Sequence, residues 1–218
     1  MARSARFTLE QIQAEALAIV DRHGLSGLTM RSLAGALRTG PMTLYNYLDG
    51  RDGLEEIVVD AVASEVTSIE ETEDWLADTT AAASALWSAV RRHPATIPLV
   101  LTRRTSSSAS LRPVEALAAA LSRSGLSGFA LLVAFRSVMG FVMGIAQAEL
   151  AGPLSPEHNP VDAAKAVSLL AGPANPTLAG LATFAGTDPQ REFQEGLRLV
   201  LQGVVSSVPP GPSRGRTR

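Results

Sequence analysis

Apolar residues recur at intervals of three and four along most of this chain, the spacing of helices that bury one face. Leu9, Ile12, Ala16, Ile19 and Val20 make the first such stripe. Thr8 opens it as an N-cap, with Gln11 three residues on to return the bond, and Gly24 closes it. Thr29 is a second N-cap, and Leu33 with Leu37 predicts a short helix after it. Arg38-Thr39-Gly40 predicts a tight turn. Pro41 then suits the first position of a third short helix, where its missing N–H has no intrahelical partner to lose. Asp49 and Gly50 predict a further turn, and Asp52 with Glu55 the cap of a long fourth helix. Beyond it, proline and glycine punctuate helices predicted near 74–93, 95–101, 111–124, 128–151, 161–170, 176–184 and 190–208.

The pattern predicts an all-α protein. Two short helices joined by a glycine-containing turn and braced by a longer one in front describe a helix-turn-helix, predicted over residues 1–52. A larger helical domain is predicted over 53–208. The remaining 209–218 is Pro, Gly and Arg without an apolar anchor and is expected to be a disordered, solvated tail.

Composition raises one question inside this layout. The chain has only two tyrosines, Tyr45 and Tyr47, two positions apart in the predicted third helix. Residues two apart on a helix diverge by about 200°, so at most one can point squarely into a core. Leu44 and Leu48 supply the inward stripe, which leaves Pro41, Met42, Thr43, Tyr45, Asn46 and Tyr47 to share the outer arc. Hydroxyls and an amide suit phosphates and base edges, and the Thr43 methyl or Met42 suits a thymine methyl. The bland alternative is that Tyr45 or Tyr47 merely packs between helices; for both together the geometry disfavours it.

Charge supports a division of labour. Residues 1–52 hold six arginines against five acids, whereas 53–90 hold nine acids and no Lys or Arg. A polyanion is therefore repelled by the second stretch and steered to the first. The overall formal charge of −2 adds nothing for nucleic acid. With no cysteine, disulfides and thiol chemistry are excluded. His23, His93 and His158 stand far apart, no phosphate-binding glycine loop occurs, and no catalytic set is visible. No enzyme, metal or cofactor is expected. The opening residues lack an apolar core segment, so export is not expected and the cytoplasm is the predicted location.

Leu28 to Val62, "LTMRSLAGALRTGPMTLYNYLDGRDGLEEIVVDAV", closely resembles the DNA-binding region of the Tet repressor (TetR) family in its Leu-Thr-x-Arg, its alanine-rich second helix, its Thr-Leu-Tyr-x-aromatic and its basic residue before a leucine-rich helix. The resemblance implies that Arg31 contacts a base, that Met42, Thr43 and Tyr47 lie in or against the major groove, and that Tyr45 and Arg51 hold phosphates. Thr29 would cap its helix and touch backbone. Pro41 and Asn46 complete the candidate DNA-binding set. The chain departs from the family in Arg38-Thr39-Gly40, where glycine-valine is common, and in Tyr47 and Arg51, where histidine and lysine are frequent.

The remainder resembles the family's ligand-binding and dimerisation domain in outline. Phe193, Leu197, Val200, Leu201, Val204 and Val208 form a wide stripe on the last helix, which the family would pair with the 128–151 helix across a two-fold axis; the alternative is an ordinary core stripe. Leu197 and Leu201 are expected at that axis. The 128–148 segment also invites a membrane reading, but Arg136 at its middle, Ser137 and Gln147, and the lack of a basic flank favour a helix buried on nearly all sides, either in the core or at a subunit contact. Trp87, Arg136 and Met139 are the candidate ligand contacts. Burial statistics favour Trp75 and Trp87 as core, and Arg136 has an alternative in an ion pair with Glu115 or Glu149. The expected protein is a homodimeric transcriptional regulator, a repressor by family habit, which binds a palindromic double-stranded DNA operator and is released by a small, mostly apolar effector. The alternatives are a helical small-molecule-binding protein without operator binding and an activator of the same fold.

Overall fold

The computed structural model describes residues 7–66, 68–102, 107–151, 174–184 and 188–208, all helices and turns with no strand among them. In chain order the helices are α1 (Leu9–Gly27), α2 (Met30–Ala36), α3 (Pro41–Leu44), α4 (Gly50–Ser64), α5 (Trp75–Arg92), a 3₁₀ turn (Pro94–Thr96), α6 (Ile97–Thr102), α7 (Ser108–Ser122), α8 (Gly128–Ala151), α9 (Pro176–Ala182) and α10 (Pro189–Ser206). The helix predicted near 161–170 and the tail 209–218 fall outside the described residues. The chain divides into two compact units, residues 1–68 with 85–114 and residues 69–84 with 115–218.

In the second unit α8 packs on α10. Phe193, Leu197, Leu201 and Val204 line the buried side of α10, while Val200 and Val208 are half-buried. The rings of Phe141 and Phe193 stand 5.7 Å apart. Gly196 permits this approach, because a Cβ there would sit 2.6 Å from two carbons of the Phe141 ring. Leu197 and Leu201 are thus 2% and 5% exposed within one chain, which corrects the expectation that they meet a symmetry mate. On α8 the converse holds within one chain. Among its residues 128–148 only Ala134, Val138, Val142 and Ala146, at successive i, i+4 positions, are buried, and the opposite side carries exposed Phe129 and Val133 together with Gly140 and Gly144. Its residues 128–148 are long and apolar enough to cross a membrane, yet within the chain they bury one edge only. Nearby, Asp78 accepts bonds from the Thr72 N–H (2.9 Å) and hydroxyl (2.7 Å) and from Arg123. These hydrogen bonds, the Thr72 pair foremost, hold its carboxyl below the usual range.

In the first unit the Thr8 hydroxyl accepts from the Gln11 N–H (3.2 Å) and the Gln11 side chain returns the bond to Thr8 N–H (3.0 Å). Gly24, at φ 66°, interrupts the helical backbone, and a last turn runs on to Gly27. Leu9 departs from the predicted stripe, being 48% exposed, and Leu17 is buried instead. At 7 and 4 residues, α2 and α3 are far below the ~12–15 residues at which an isolated helix becomes marginal. They hold because Leu33, Ala34, Leu44 and Leu48 enter one core with Ile12, Ala16, Ile19 and Val20 of α1 and Leu54, Ile57, Val58, Ala61 and Val62 of α4. Each fully buried valine, leucine or isoleucine side chain contributes about 1.5–3 kcal/mol. Asp49 is the N-cap residue of α4, without a side-chain bond, so Asp52 lies inside the helix rather than at its cap. Asp60, buried in α4, accepts from the hydroxyls of Ser107 (2.5 Å) and Ser110 (2.8 Å).

A polar clamp ties the far ends of this unit. His93 Nδ1 lies 2.9 Å from Asp21 on α1, and its Nε2 lies 3.0 Å from Glu65, off the line of a hydrogen bond. Arg92 donates to Glu65 at 2.9 Å. Burial pushes the Glu65 carboxyl up, but the adjacent His93 and Arg92 together outweigh it and hold it below its ordinary value of 4.5. A depressed carboxyl contributes stability that is present above that ordinary value and lost as pH falls through the lowered one. Glu65→Gln is therefore expected to lower the urea midpoint at about pH 7, with the difference from the native protein closing as pH falls through the lowered value. A gap that persists in acid would show that charge is not what Glu65 supplies.

Candidate nucleic-acid interface

The recognition segment is shorter than its spacing suggests. After Leu44 the backbone tightens, with Asn46 N–H bonded to Thr43 O (3.3 Å) and Tyr47 N–H to Leu44 O (2.9 Å), before Leu48 N–H returns to Leu44 O. The predicted third short helix is one α-turn followed by tight turns. The i, i+4 pair Leu44 and Leu48 nevertheless stays buried, so the outer arc survives.

On that arc Met42 is 77% and Tyr45 53% exposed, with Pro41 and Asn46 also exposed and Thr43 half-buried. Tyr47 behaves differently. It packs against the core of the first unit, and its hydroxyl accepts the Phe7 N–H at 3.3 Å. The two tyrosines divide the roles that helical geometry allows, one outward and one on the shoulder of the core. No signal in the sequence links Tyr47 to Phe7, forty residues away.

Thr29 caps α2: its hydroxyl accepts the Ser32 N–H (3.0 Å), and Ser32 answers with its own hydroxyl to the Thr29 N–H (2.9 Å). Arg31 follows in the first turn and is exposed. At the far end of α2, Thr39 N–H bonds Ala34 O (2.8 Å) and Arg38 N–H bonds Gly35 O (3.1 Å), the pattern of a Schellman cap. The left-handed position of that cap, φ 51°, falls on Arg38, and Gly40 has φ −83°. A branched-chain or bulky residue there is strained, whereas an unbranched Cβ such as arginine's is tolerated at modest cost.

Arg51 is engaged inside the unit. Its Nε stands 2.5 Å from Glu55, and its other nitrogens donate to Leu28 O (2.8 Å) and Leu25 O (3.5 Å). It thereby stitches the start of α4 to the strand of chain leading into α2, with its charge balanced by Glu55.

Among the candidate ligand residues, Trp87 is buried, 2% exposed, under the guanidinium of Arg91 at 5.1 Å. Arg136 is exposed on α8 and Met139 half-buried on it. No group of His, Cys, Asp or Glu that would hold a metal occurs among the described residues.

A compact helix-turn-helix with a polar, outward recognition arc, joined to a second helical unit, defines a DNA-binding transcription factor. Residues 69–208 match the model of the tetracyclin repressor-like C-terminal domain, and the chain belongs to the TetR family of transcriptional regulators. It is 29% identical over 203 residues to an HTH-type transcriptional regulator of Saccharopolyspora erythraea, covering 92% of this chain and 86% of that one. It is 30% identical over 145 residues, 66% of this chain and 54% of the other, to the HTH-type transcriptional repressor DrrR1 of Streptomyces coeruleorubidus. Among solved structures, the TetR family protein ActR of Streptomyces coelicolor, in complex with actinorhodin, superposes with a TM-score of 0.80 at 26% identity, over 97% of this chain and 100% of that one.

The contacts of Arg51 make a prediction that needs no DNA. Leu28 O belongs to a fully buried residue and loses a charged donor in Arg51→Ala, so the variant is expected to lose about 1–2 kcal/mol in urea unfolding. Arg51→Lys should recover only part, since an ammonium lacks the fork that reaches Glu55 and Leu28 together. Full stability of Arg51→Ala would mean that the side chain is free to serve elsewhere.

Proposed function

We propose that the protein is a cytoplasmic, homodimeric repressor that holds a palindromic operator and is released by a small, mostly apolar effector. The observation that carries the reading is the recognition arc: Met42, Tyr45 and Asn46 stand outward on a segment anchored by two buried leucines, beside exposed Arg31. Arg31 reads a base edge and Tyr45 meets phosphate, with Thr29, Pro41 and Thr43 along the same contact. Tyr47 acts from the shoulder as a support. Arg51 positions the helix and offers backbone contact only through its exposed edge. Effector control is supported by the complex of ActR with actinorhodin.

The dimer reading rests on the exposed side of α8, one of the two helices expected at the subunit contact. Gly140 and Gly144 lie on the exposed side of α8, and a Cβ at either would meet nothing within 4 Å inside the chain. Glycine within a helix costs about 1 kcal/mol against alanine, so packing in one chain gives no reason for the pair. Close approach of a second helix does. On α10, Leu199 and Gly203 share an exposed side of the same kind.

Retention of genomic fragments tests the function, and Arg31→Ala sharpens it. The variant is expected to lose roughly 1–3 kcal/mol of operator affinity and to relax preference at one base pair per half-site. Equal affinity for the operator and all its single-base variants would remove Arg31 from the reading set. For the dimer, Val133→Glu buries a charge against its own symmetry mate, which costs several kcal/mol. It should sediment as a folded monomer and lose most operator affinity, since half-sites one turn apart, about 34 Å, need linked recognition helices. A Val133→Glu protein that remains dimeric would move the subunit contact off α8.

A further inference from the structure

The second unit contains an open groove of about 840 Å³ between α5, from Leu76 to Ser84, and α10, from Gln194 to Ser206. That volume falls in the roughly 300–1,000 Å³ range of small-molecule sites. Another cavity of this unit, about 100 Å³ beside Arg123, is too small, and the Arg123 guanidinium is already bound to Asp78.

The groove has a sorted lining. Leu76 and Val205 supply apolar surface, over a floor at which the buried Leu197 and Leu201 just reach the groove. Three hydroxyls also face it, but each donates its proton to its own helix: Thr80 to Leu76 O (2.8 Å), Ser84 to Thr80 O (2.7 Å) and Ser206 to Gln202 O (2.9 Å). The donors left for a ligand are the amides of Gln194 and Gln202 and the guanidinium of Arg198. Arg198 is paired with Glu195 three residues back, at 2.9 Å, with both side chains more than half exposed. Such a pair contributes little, so an acidic group on a ligand displaces Glu195 at small cost. Hydroxyl lone pairs aside, the polar side of the groove asks for acceptors.

We infer that this groove seats the effector, and that the effector is an elongated, largely apolar molecule with carbonyl or acidic oxygens along one side. The inference rests on the proposed reading of the protein as ligand-responsive.

The test uses the full chain with two fluorescent probes, the anionic anilinonaphthalene sulfonate and the neutral phenyl-naphthylamine, and measures retention of an operator fragment in the same samples. Thr80→Trp and Val205→Trp, on facing helices, fill the groove from exposed positions, and their melting curves report that the fold is intact. Both are expected to weaken binding of either probe about tenfold or more, whereas Arg198→Gln weakens the anionic probe alone. In the native chain the probe should also release the operator, and the filled variants should hold the operator while resisting release. Filled variants that bind probe and respond as the native chain does would overturn the groove as the site while leaving ligand control intact. Probe binding that the variants abolish, with operator retention untouched throughout, would overturn ligand control and the effector role of the groove together. A change in sedimentation of the filled variants without a change in probe binding would overturn the inference and assign the groove to contact between chains.

Discussion

The burial of Leu44 and Leu48 in one core with α1 and α4 decides what the recognition segment presents to the outside. A four-residue helix has no stability of its own, and its orientation is borrowed from the two leucines it inserts. Met42, Tyr45 and Asn46 face outward because the leucines face inward, and Tyr47 is left the intermediate direction, where an amphipathic ring packs on apolar neighbours and keeps its hydroxyl bonded. The longer helices are therefore part of the DNA-reading apparatus without touching DNA. Loosening α1 against α4 would turn the arc, and the clamp of Asp21, His93 and Glu65 lies between the parts that would move.

The acid-rich stretch 53–90 takes on a second meaning in three dimensions. Asp60, Glu65 and Asp78 each have specific partners, two serines, a histidine with an arginine, and a threonine with an arginine. Sequence spacing alone presents them as a repelling surface. The partners lie between 6 and 50 residues away, and local patterning carries no trace of most of them.

Local physics was legible and long-range packing was not. Thr8 with Gln11, Thr29, Pro41 and the proline and glycine breaks announce helix ends because capping is settled within a turn of the residue concerned. The TetR resemblance likewise rests on a short stretch and stands. What the pattern could not say is which of two apolar sides meets its own chain. The stripe of Leu197 and Leu201 is satisfied by α8, whereas α8, apolar nearly all round, has more such surface than one chain covers. Arg51 shows the same limit at a single residue, since its bonds to two carbonyls more than twenty positions back leave no trace in local spacing.

The contact of the Phe141 ring with Gly196 binds the two positions to a shared history. A side chain gained at 196 needs the ring at 141 to shrink, because the space a Cβ would take is already filled by aromatic carbon. Substitutions at the two sites should therefore travel as a pair through descendants of this gene. A transplanted α10 would keep its packing only in a host whose α8 brings the ring with it.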